Sequence, residues 1–155
     1  MEGLGMISRQ GSAEGLVLAT AASSSHFRSL MQFLLSVERY APEARVVAYS
    51  MGLTEAEKRR LLSRYPRVAL RDFDFGSYPA HFDLAKDNGA YAWKPAIVWE
   101  ALSEEKAPVC WMDSGNTLTG SLDGIRRALG RNGFYSPWSP GTLAEWTHHG
   151  MLAEL

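Results

Sequence analysis

The residues best suited to chemistry lie near the middle of the chain, in the segments YAWKP and DSGN. Lys94 belongs to the first segment, and Asp113 opens the second, directly after the apolar run PVCWM. An ionised carboxylate is costly to bury unless it is paired, hydrogen-bonded or bound to a metal ion. Because Gly115 permits a tight turn, we expect Asp113 to emerge in a loop where its charge can be used.

Asp113 and Asn116 are candidate ligands for a divalent cation. Mg²⁺ and Mn²⁺ prefer oxygen ligands and commonly take only one or two from the protein, with the rest from phosphates and water. The Asp113 carboxylate, helped by the amide oxygen of Asn116, would hold an ion that bridges a diphosphate. The alternative is an aspartate that only caps its own turn, and the spacing alone does not decide between the two.

Lys94 favours the first interpretation. Pro95 biases Lys94 toward extended backbone and suits the first turn of a helix, so the lysine is expected at a helix N-terminus. A cation at that end is unfavourable, and a bound diphosphate would relieve the conflict. The alternative is a surface lysine whose stem packs on Trp93.

A second polar segment, TAASSS, follows the first apolar run of the chain. Its small side chains, hydroxyls and backbone N–H groups suit part of a nucleotide or a phosphate. The serines Ser23 to Ser25 would equally serve as caps of the following helix. On this segment alone, capping is the better interpretation.

These segments need elements to position them. Apolar runs predict strands at 15–21, 45–50, 67–75 (irregular near Asp72) and 109–112. Helical spacing predicts helices at 26–40, at 55–64 behind a Thr54–Glu57 capping box, at about 95–105 and at about 121–130. The segment 76–89 is predicted to be a loop, and FYSPWSPG a short strand that breaks into a turn. The pattern predicts an α/β fold, an open and mostly parallel sheet with helices on both faces, which binds ligands beyond the carboxyl ends of its strands.

Composition excludes several classes of protein. A length of 155 residues suits one domain, predicted at 15–155 behind a flexible segment 1–14, and the abrupt end within a helical pattern predicts a C-terminally truncated domain. The net charge of −1, with basic residues scattered along the chain, argues against nucleic acid as a partner. Cys110 cannot form an internal disulfide and is expected to pack as a small hydrophobe. The sequence shows no membrane segment or targeting signal, so a secretory-pathway or cytoplasmic location stays undecided.

YAWKP, a helix, a strand and W-M-D-S together resemble the core of the nucleotide-diphospho-sugar transferases of GT-A fold, in particular a glycosyltransferase-like group marked by YAWKP and W-[LM]-D-S. The stretch VLATAASSSHFRSLMQFLLSVERYAPEARVVAYSMGLT and the closing GFYSPWSPGTL and THHGM are similar to that group as well. The resemblance therefore runs from Gly15 to the end. It implies a hexosyltransferase-like enzyme with a nucleotide-sugar donor, an acceptor of unknown identity and a Mn²⁺ or Mg²⁺ cofactor.

The resemblance also implies roles for individual residues. Donor binding would fall to Thr20, Ala21 and Ser23 on the nucleoside side and to Tyr91, Lys94 and Asp113 around the diphosphate. Asp113 would match the first acid of the D-x-D metal motif, while Gly115 stands where the second acid is expected. Either Asn116 would substitute for that acid, or the metal would be held more weakly, or none would be used. His148 or His149 would be a candidate for a later ligand. No residue is assigned as the catalytic base.

Two other functions stay open from the sequence. Asp113 with Thr117 four residues later is similar to the nucleophile motif of haloacid-dehalogenase-type phosphatases, but Gly115 stands at their acid/base position. The second open function is that of a non-catalytic or truncated domain that binds a nucleotide sugar. The spelled D-x-D at Asp72 and Asp74 is interpreted as a polar strand edge.

Overall fold

A computed structural model describes residues 15–146; the predicted segment 1–14, His148 and His149 lie outside the described residues. Four strands form one sheet: β1 (Val17–Ala22), β2 (Arg45–Ser50), β3 (Ala69–Asp72) and β4 (Val109–Trp111). All neighbouring strands pair in parallel, in the order β3-β2-β1-β4. The order reverses between β1 and β4, and parallel sheets of this kind bind ligands at the carboxyl ends beside that reversal.

Helices connect the strands. They are α1 (Phe27–Tyr40), α2 (Glu55–Arg64), α3 (Trp93–Glu105), α4 (Asp123–Asn132) and the short α5 (Leu143–Trp146). Short 3-10 turns lie at Ser24–His26, Phe75–Ser77, Ala80–Phe82 and Asp87–Tyr91. No helix among residues 15–146 combines the length and apolar character that a bilayer-spanning segment requires.

The core lies on both faces of the sheet, which confirms the predicted α/β architecture. Every residue of β1 is buried, as the continuous apolar run predicts. Leu18 and Ala22 of β1 pack in one cluster with side chains of α1, α2 and α4. Val17 and Ala21 point the other way, into a second cluster with Ile97 of α3 and aromatic residues of the segment 73–82.

The start of α2 follows the predicted chemistry, whereas the start of α1 does not. The Thr54–Glu57 capping box is present in both directions. The prediction that Ser23 to Ser25 cap α1 is wrong, because no serine side chain bonds to a backbone N–H of that helix. The Ser24 hydroxyl instead donates to Glu57, at 2.6 Å, and so joins the two helix starts.

Two segments differ from the sequence-based prediction. β3 ends at Asp72, at the predicted irregularity, because the chain turns into the 3-10 segment Phe75–Ser77. FYSPWSPG contains no strand, and its aromatic side chains, including Trp138, are exposed. Proline has no N–H for a strand ladder, and among the described residues no strand pairs with this segment.

Candidate functional site

Asp113 and Lys94 meet at the carboxyl edge of the sheet. Asp113 follows β4 by two residues, and Lys94 is the second residue of α3. The Lys94 Nζ lies 2.7 Å from Asp113 Oδ1, and the two side chains are 29% and 53% exposed, so the pair is open to solvent. The sequence placed both residues near this edge, and the structure joins them in an ion pair.

The backbone at Lys94 differs from the prediction. Lys94 is helical rather than extended, and Pro95 occupies the third position of α3. Proline is tolerated there because the first N–H groups of a helix have no partner within the helix. Lys94 is therefore held in the first turn, beside the positive end of the helix dipole, as predicted.

Three aromatic rings surround the Lys94 ammonium. Its Nζ lies 5.1 Å from the ring centroid of Tyr91, 5.5 Å from that of Trp93 and 5.9 Å from that of Trp111. The indole N–H of Trp111 also donates to Asp113 Oδ1, at 3.0 Å. Cation–π attraction and this hydrogen bond hold the charged pair in one place while leaving it accessible.

The turn after β4 presents Asp113 and Asn116 together. The Asn116 N–H donates to the Asp113 carbonyl oxygen at 2.9 Å, and both side chains are exposed. Both donors to the carboxylate use Oδ1, and within residues 15–146 no donor reaches Oδ2. The Asp113 carboxylate and the Asn116 amide are oxygen ligands of the kind that Mg²⁺ and Mn²⁺ accept. The described residues contain no group of three His, Cys, Asp or Glu ligands.

A left-handed stretch precedes Lys94. Asn88, Gly89, Ala90 and Tyr91 all have positive φ angles, of 51°, 65°, 47° and 55°. A Cβ on Gly89 would lie 2.4 Å from the Phe82 carbonyl oxygen, so only glycine fits there. The sequence analysis predicted a loop here but did not predict the left-handed conformation. The Asn88-Gly89 pair could have indicated it, because both residue types tolerate positive φ angles.

The predicted residues at the end of β1 do not share one surface. Thr20 is fully buried, and side-chain alternation places it on the α1 face with Leu18 and Ala22. Its hydroxyl is the one buried side-chain oxygen without a partner among the described residues. Ala21 is buried on the α3 face, which also carries Trp93 and Trp111. Ser23 is half-buried, with its hydroxyl 2.9 Å from that of Ser25.

A cavity of about 530 Å³ lies at the carboxyl ends of β2 and β3, and the sequence did not reveal it. Its lining includes Ser50, Met51, Asp72, Phe75, Tyr78 and Asp83. The Tyr78 ring stacks on Phe82 at a centroid distance of 4.6 Å, and the Tyr78 hydroxyl donates to Glu100, which raises the pKa of Tyr78 to about 12. The recurring aromatic residues between Phe73 and Phe82 were the sequence feature that could have indicated this cavity.

Asp72 and Asp74, which match the D-x-D pattern by residue type, have local structural partners, in line with the predicted polar strand edge. Asp72 forms an ion pair with Lys58, at 2.7 Å, and this contact lowers the pKa of the Asp72 carboxyl. Asp74 accepts hydrogen bonds from the Ser77 hydroxyl and the Gly76 N–H, which lower its pKa. Asp72 therefore pairs with α2 at the end of β3, and Asp74 caps the following 3-10 turn.

A sequence profile of a family described as protein of unknown function, DUF1647, matches residues 4–99, which is more than half of the chain. The chain belongs to the DUF1647 family. The matched stretch contains Lys94 but ends before Asp113, so the DUF1647 match includes only one member of the ion pair. No curated protein matches the sequence.

Solved structures similar to this DUF1647 chain include two of LgtC. The crystal structure of an active-site mutant of LgtC has a TM-score of 0.50 and 20% identity, over 70% of this chain and 41% of that chain. A crystal structure of the galactosyltransferase LgtC with donor and acceptor sugar analogues has a TM-score of 0.47 and 17% identity, with the same coverage. The first likeness shows that the chain shares the fold of LgtC, GT-A, and the chain spans less than half the length of LgtC.

Proposed function

We propose that this chain binds a nucleotide-diphosphate sugar and is the donor-binding part of a glycosyltransferase. The observation that carries the proposal is the Lys94–Asp113 pair, which is exposed at the strand-order reversal between β1 and β4. A fold shared with a glycosyltransferase supports it. Such a reversal is where parallel sheets bind nucleotides.

The reaction would break the bond between the sugar C1 and the diphosphate oxygen. The nucleoside diphosphate leaves with the bonding electron pair, and an acceptor hydroxyl oxygen forms the new bond to C1 while its proton passes to the departing diphosphate oxygen. Lys94 would stabilise the negative charge that develops on the leaving diphosphate, because its ammonium is preorganised by the surrounding aromatic rings. Tyr91 would border the same anion from the N-terminal side of α3.

The proposal includes a divalent cation, Mn²⁺ or Mg²⁺, held by Asp113 with Asn116. When bound, it would supply Lewis-acid stabilisation of the leaving diphosphate. The protein residues would fix its position, since Oδ1 of Asp113 is held by Lys94 and Trp111 while the turn presents Oδ2 and the Asn116 amide. Of the residues expected on the nucleoside side, only the half-buried Ser23 is proposed to contact the nucleoside with its side chain, whereas the buried Thr20 and Ala21 would contribute through their backbone alone.

Titration calorimetry with UDP, uridine and UDP-sugars, with and without Mn²⁺, tests the proposal. We expect Lys94→Met to weaken UDP binding by about tenfold, the scale of one lost charge-assisted contact, and to leave uridine binding unchanged. Lys106→Met, at the opposite end of α3, is the matched control and should bind like the wild type. Equal losses for UDP and uridine, or no UDP binding by the wild type, would contradict the proposal.

Activity measurements on the same protein distinguish the two alternative functions, a binding module and a phosphatase. Donor binding without sugar transfer or donor hydrolysis would assign the chain as a binding module. Hydrolysis of p-nitrophenyl phosphate that is lost in Asp113→Asn would assign a phosphatase instead, with Asp113 as the nucleophile.

A further inference from the structure

Basic residues are in excess in the stretch that contains α1, β2 and α2. Eight of the 16 Lys and Arg residues lie between residues 27 and 67, a stretch that contains only four of the 17 acidic residues. The basic residues are scattered along the chain, as the sequence analysis states, but this stretch carries a local excess of four positive charges. A net charge of −1 for the whole chain conceals a basic surface.

A groove of about 470 Å³ runs between α1 and α2 on this surface. Its walls carry Arg28, Arg60 and Arg64, its floor includes Met31 and Leu35, and no acidic side chain lines it. Leu35 is 52% exposed, and Met31 beside it is half-buried. The groove thus combines an apolar floor with a cationic rim.

The cations of the rim differ in their partners. Arg64 forms a two-pronged pair with Glu38, at 3.0 and 2.6 Å, and lies 4.6 Å from the Tyr65 ring centroid. Arg28 and Arg60 form no ion pair or hydrogen bond with any described residue. Two guanidinium groups on facing helices are therefore available to an anionic ligand.

We propose that this groove, called the α1–α2 groove, binds an acidic segment of a partner protein in which apolar side chains alternate with carboxylates. Charge complementarity identifies the occupant: carboxylates pair with Arg28 and Arg60, and an apolar side chain between them covers Leu35 and Met31. The inference is independent of the proposed sugar transfer, since these helices lie on the face of the sheet opposite α3.

The residues that line the groove favour a polypeptide over a lipid surface. Arg28 and Arg60 lie on two different helices and line the groove together with Met31 and Leu35, and a polypeptide can present carboxylates and an apolar side chain at one fixed spacing. A protruding leucine on a peptide reaches the floor while its neighbouring glutamates reach the rim, as in other helix-in-groove complexes.

Fluorescence anisotropy with the full chain and a labelled EELLEELLEELL peptide tests the inference. We expect the double substitution Arg28→Glu and Arg60→Glu to weaken binding by at least about tenfold, because two attractions become repulsions. Arg127→Glu with Arg131→Glu, exposed arginines on α4, is the matched control and should change binding by less than about twofold. Circular dichroism melts establish that both variants fold.

Two further binding measurements test the apolar contact and distinguish a peptide from a lipid surface. A peptide with serine in place of every leucine should bind at least about fivefold more weakly, because it cannot cover the groove floor. Vesicles that contain phosphatidylserine should bind more weakly than the peptide. Equal binding by the two double variants, equal binding of the serine peptide, no peptide binding, or tighter binding to vesicles would each overturn the proposal.

Discussion

The Oδ1 oxygen of Asp113 is the common acceptor for the side chains at the candidate site. Asp113 Oδ1 receives both the Lys94 ammonium and the Trp111 indole N–H. Asp113 thereby positions a cation at the carboxyl edge of the sheet, and its Oδ2 receives no hydrogen bond from the described residues. At the scale of the residue, the same side chain serves as a local ion-pair partner and as the proposed metal ligand.

The substitution Asp113→Asn separates these two roles. We expect it to abolish any gain in UDP affinity on adding Mn²⁺, because an amide is a weaker cation ligand than a carboxylate. Metal-free UDP binding should not fall, since Lys94 is released from its partner. The free energy of unfolding should change by less than about 1 kcal/mol, because the pair is exposed. Calorimetry and thermal melts measure both effects, and an unchanged response to Mn²⁺ would remove Asp113 from the proposed metal site.

At the scale of the element, the loop before α3 determines where Tyr91 and Lys94 stand. Four consecutive left-handed residues make the chain turn sharply before it enters the helix. Such a conformation persists only when the surrounding packing supports it, here through Trp93, whose indole N–H donates to the Asn88 carbonyl oxygen at 3.1 Å.

Replacing Gly89 tests this support. We expect Gly89→Ala to lower the free energy of unfolding by more than about 1 kcal/mol, through left-handed strain and the clash with the Phe82 carbonyl oxygen. Denaturant unfolding measures the change. Gly124→Ala is the control, because Gly124 lies in α4 with open space around it, and alanine there should be neutral or stabilising. A Gly89→Ala variant as stable as the wild type would show that the loop adopts another path.

The start of α2 offers a second prediction at this scale. Thr54→Ala removes the side-chain acceptor of the Glu57 N–H and should cost about 1 kcal/mol of stability. Ser63→Ala, an exposed position in the same helix, should be neutral or slightly stabilising and serves as the control. If both variants melt at the wild-type temperature, the capping box contributes nothing measurable.

At the scale of the whole molecule, an ion network joins the sheet to the end of α3. Glu105 is only 10% exposed and bonds to Arg45, at the start of β2, and to Arg71 of β3, at 2.9 Å. The Arg71 guanidinium also donates to the Tyr49 hydroxyl, at 3.0 Å. Three elements therefore depend on one nearly buried carboxylate.

This network predicts a dependence of stability on pH. The hydrogen bond from Arg45 lowers the pKa of Glu105 below its ordinary value of 4.5. Because the folded-state pKa is depressed, the stabilisation is complete above pH 4.5 and is lost as the pH falls through the lowered value. We expect Glu105→Gln to be less stable by about 1.5 kcal/mol at neutral pH, because Arg45 is half-exposed and Arg71 keeps Glu104 as a partner, with the difference shrinking in acid. Urea unfolding from pH 7 to pH 3 measures it, and a constant difference would contradict the prediction.

Much of the fold followed from local physics. The fully apolar run of β1, the helical spacing of α1, the bounds of β2 and the capping box of α2 were all correctly predicted, because hydrophobic periodicity and caps act within a few residues. The parallel α/β class followed from the alternation of those elements. FYSPWSPG was predicted wrongly, since a strand depends on a partner strand that local sequence does not specify.

The chain alone also determined which residues could carry chemistry, namely an aspartate after an apolar strand and a lysine at a helix start. Only the tertiary structure decided that the two meet at 2.7 Å, that Thr20 faces away from them, and that distant arginines line one groove. The physical reason is range: propensity and periodicity act between near neighbours, whereas strand order and helix packing set the distances between residues far apart in the chain.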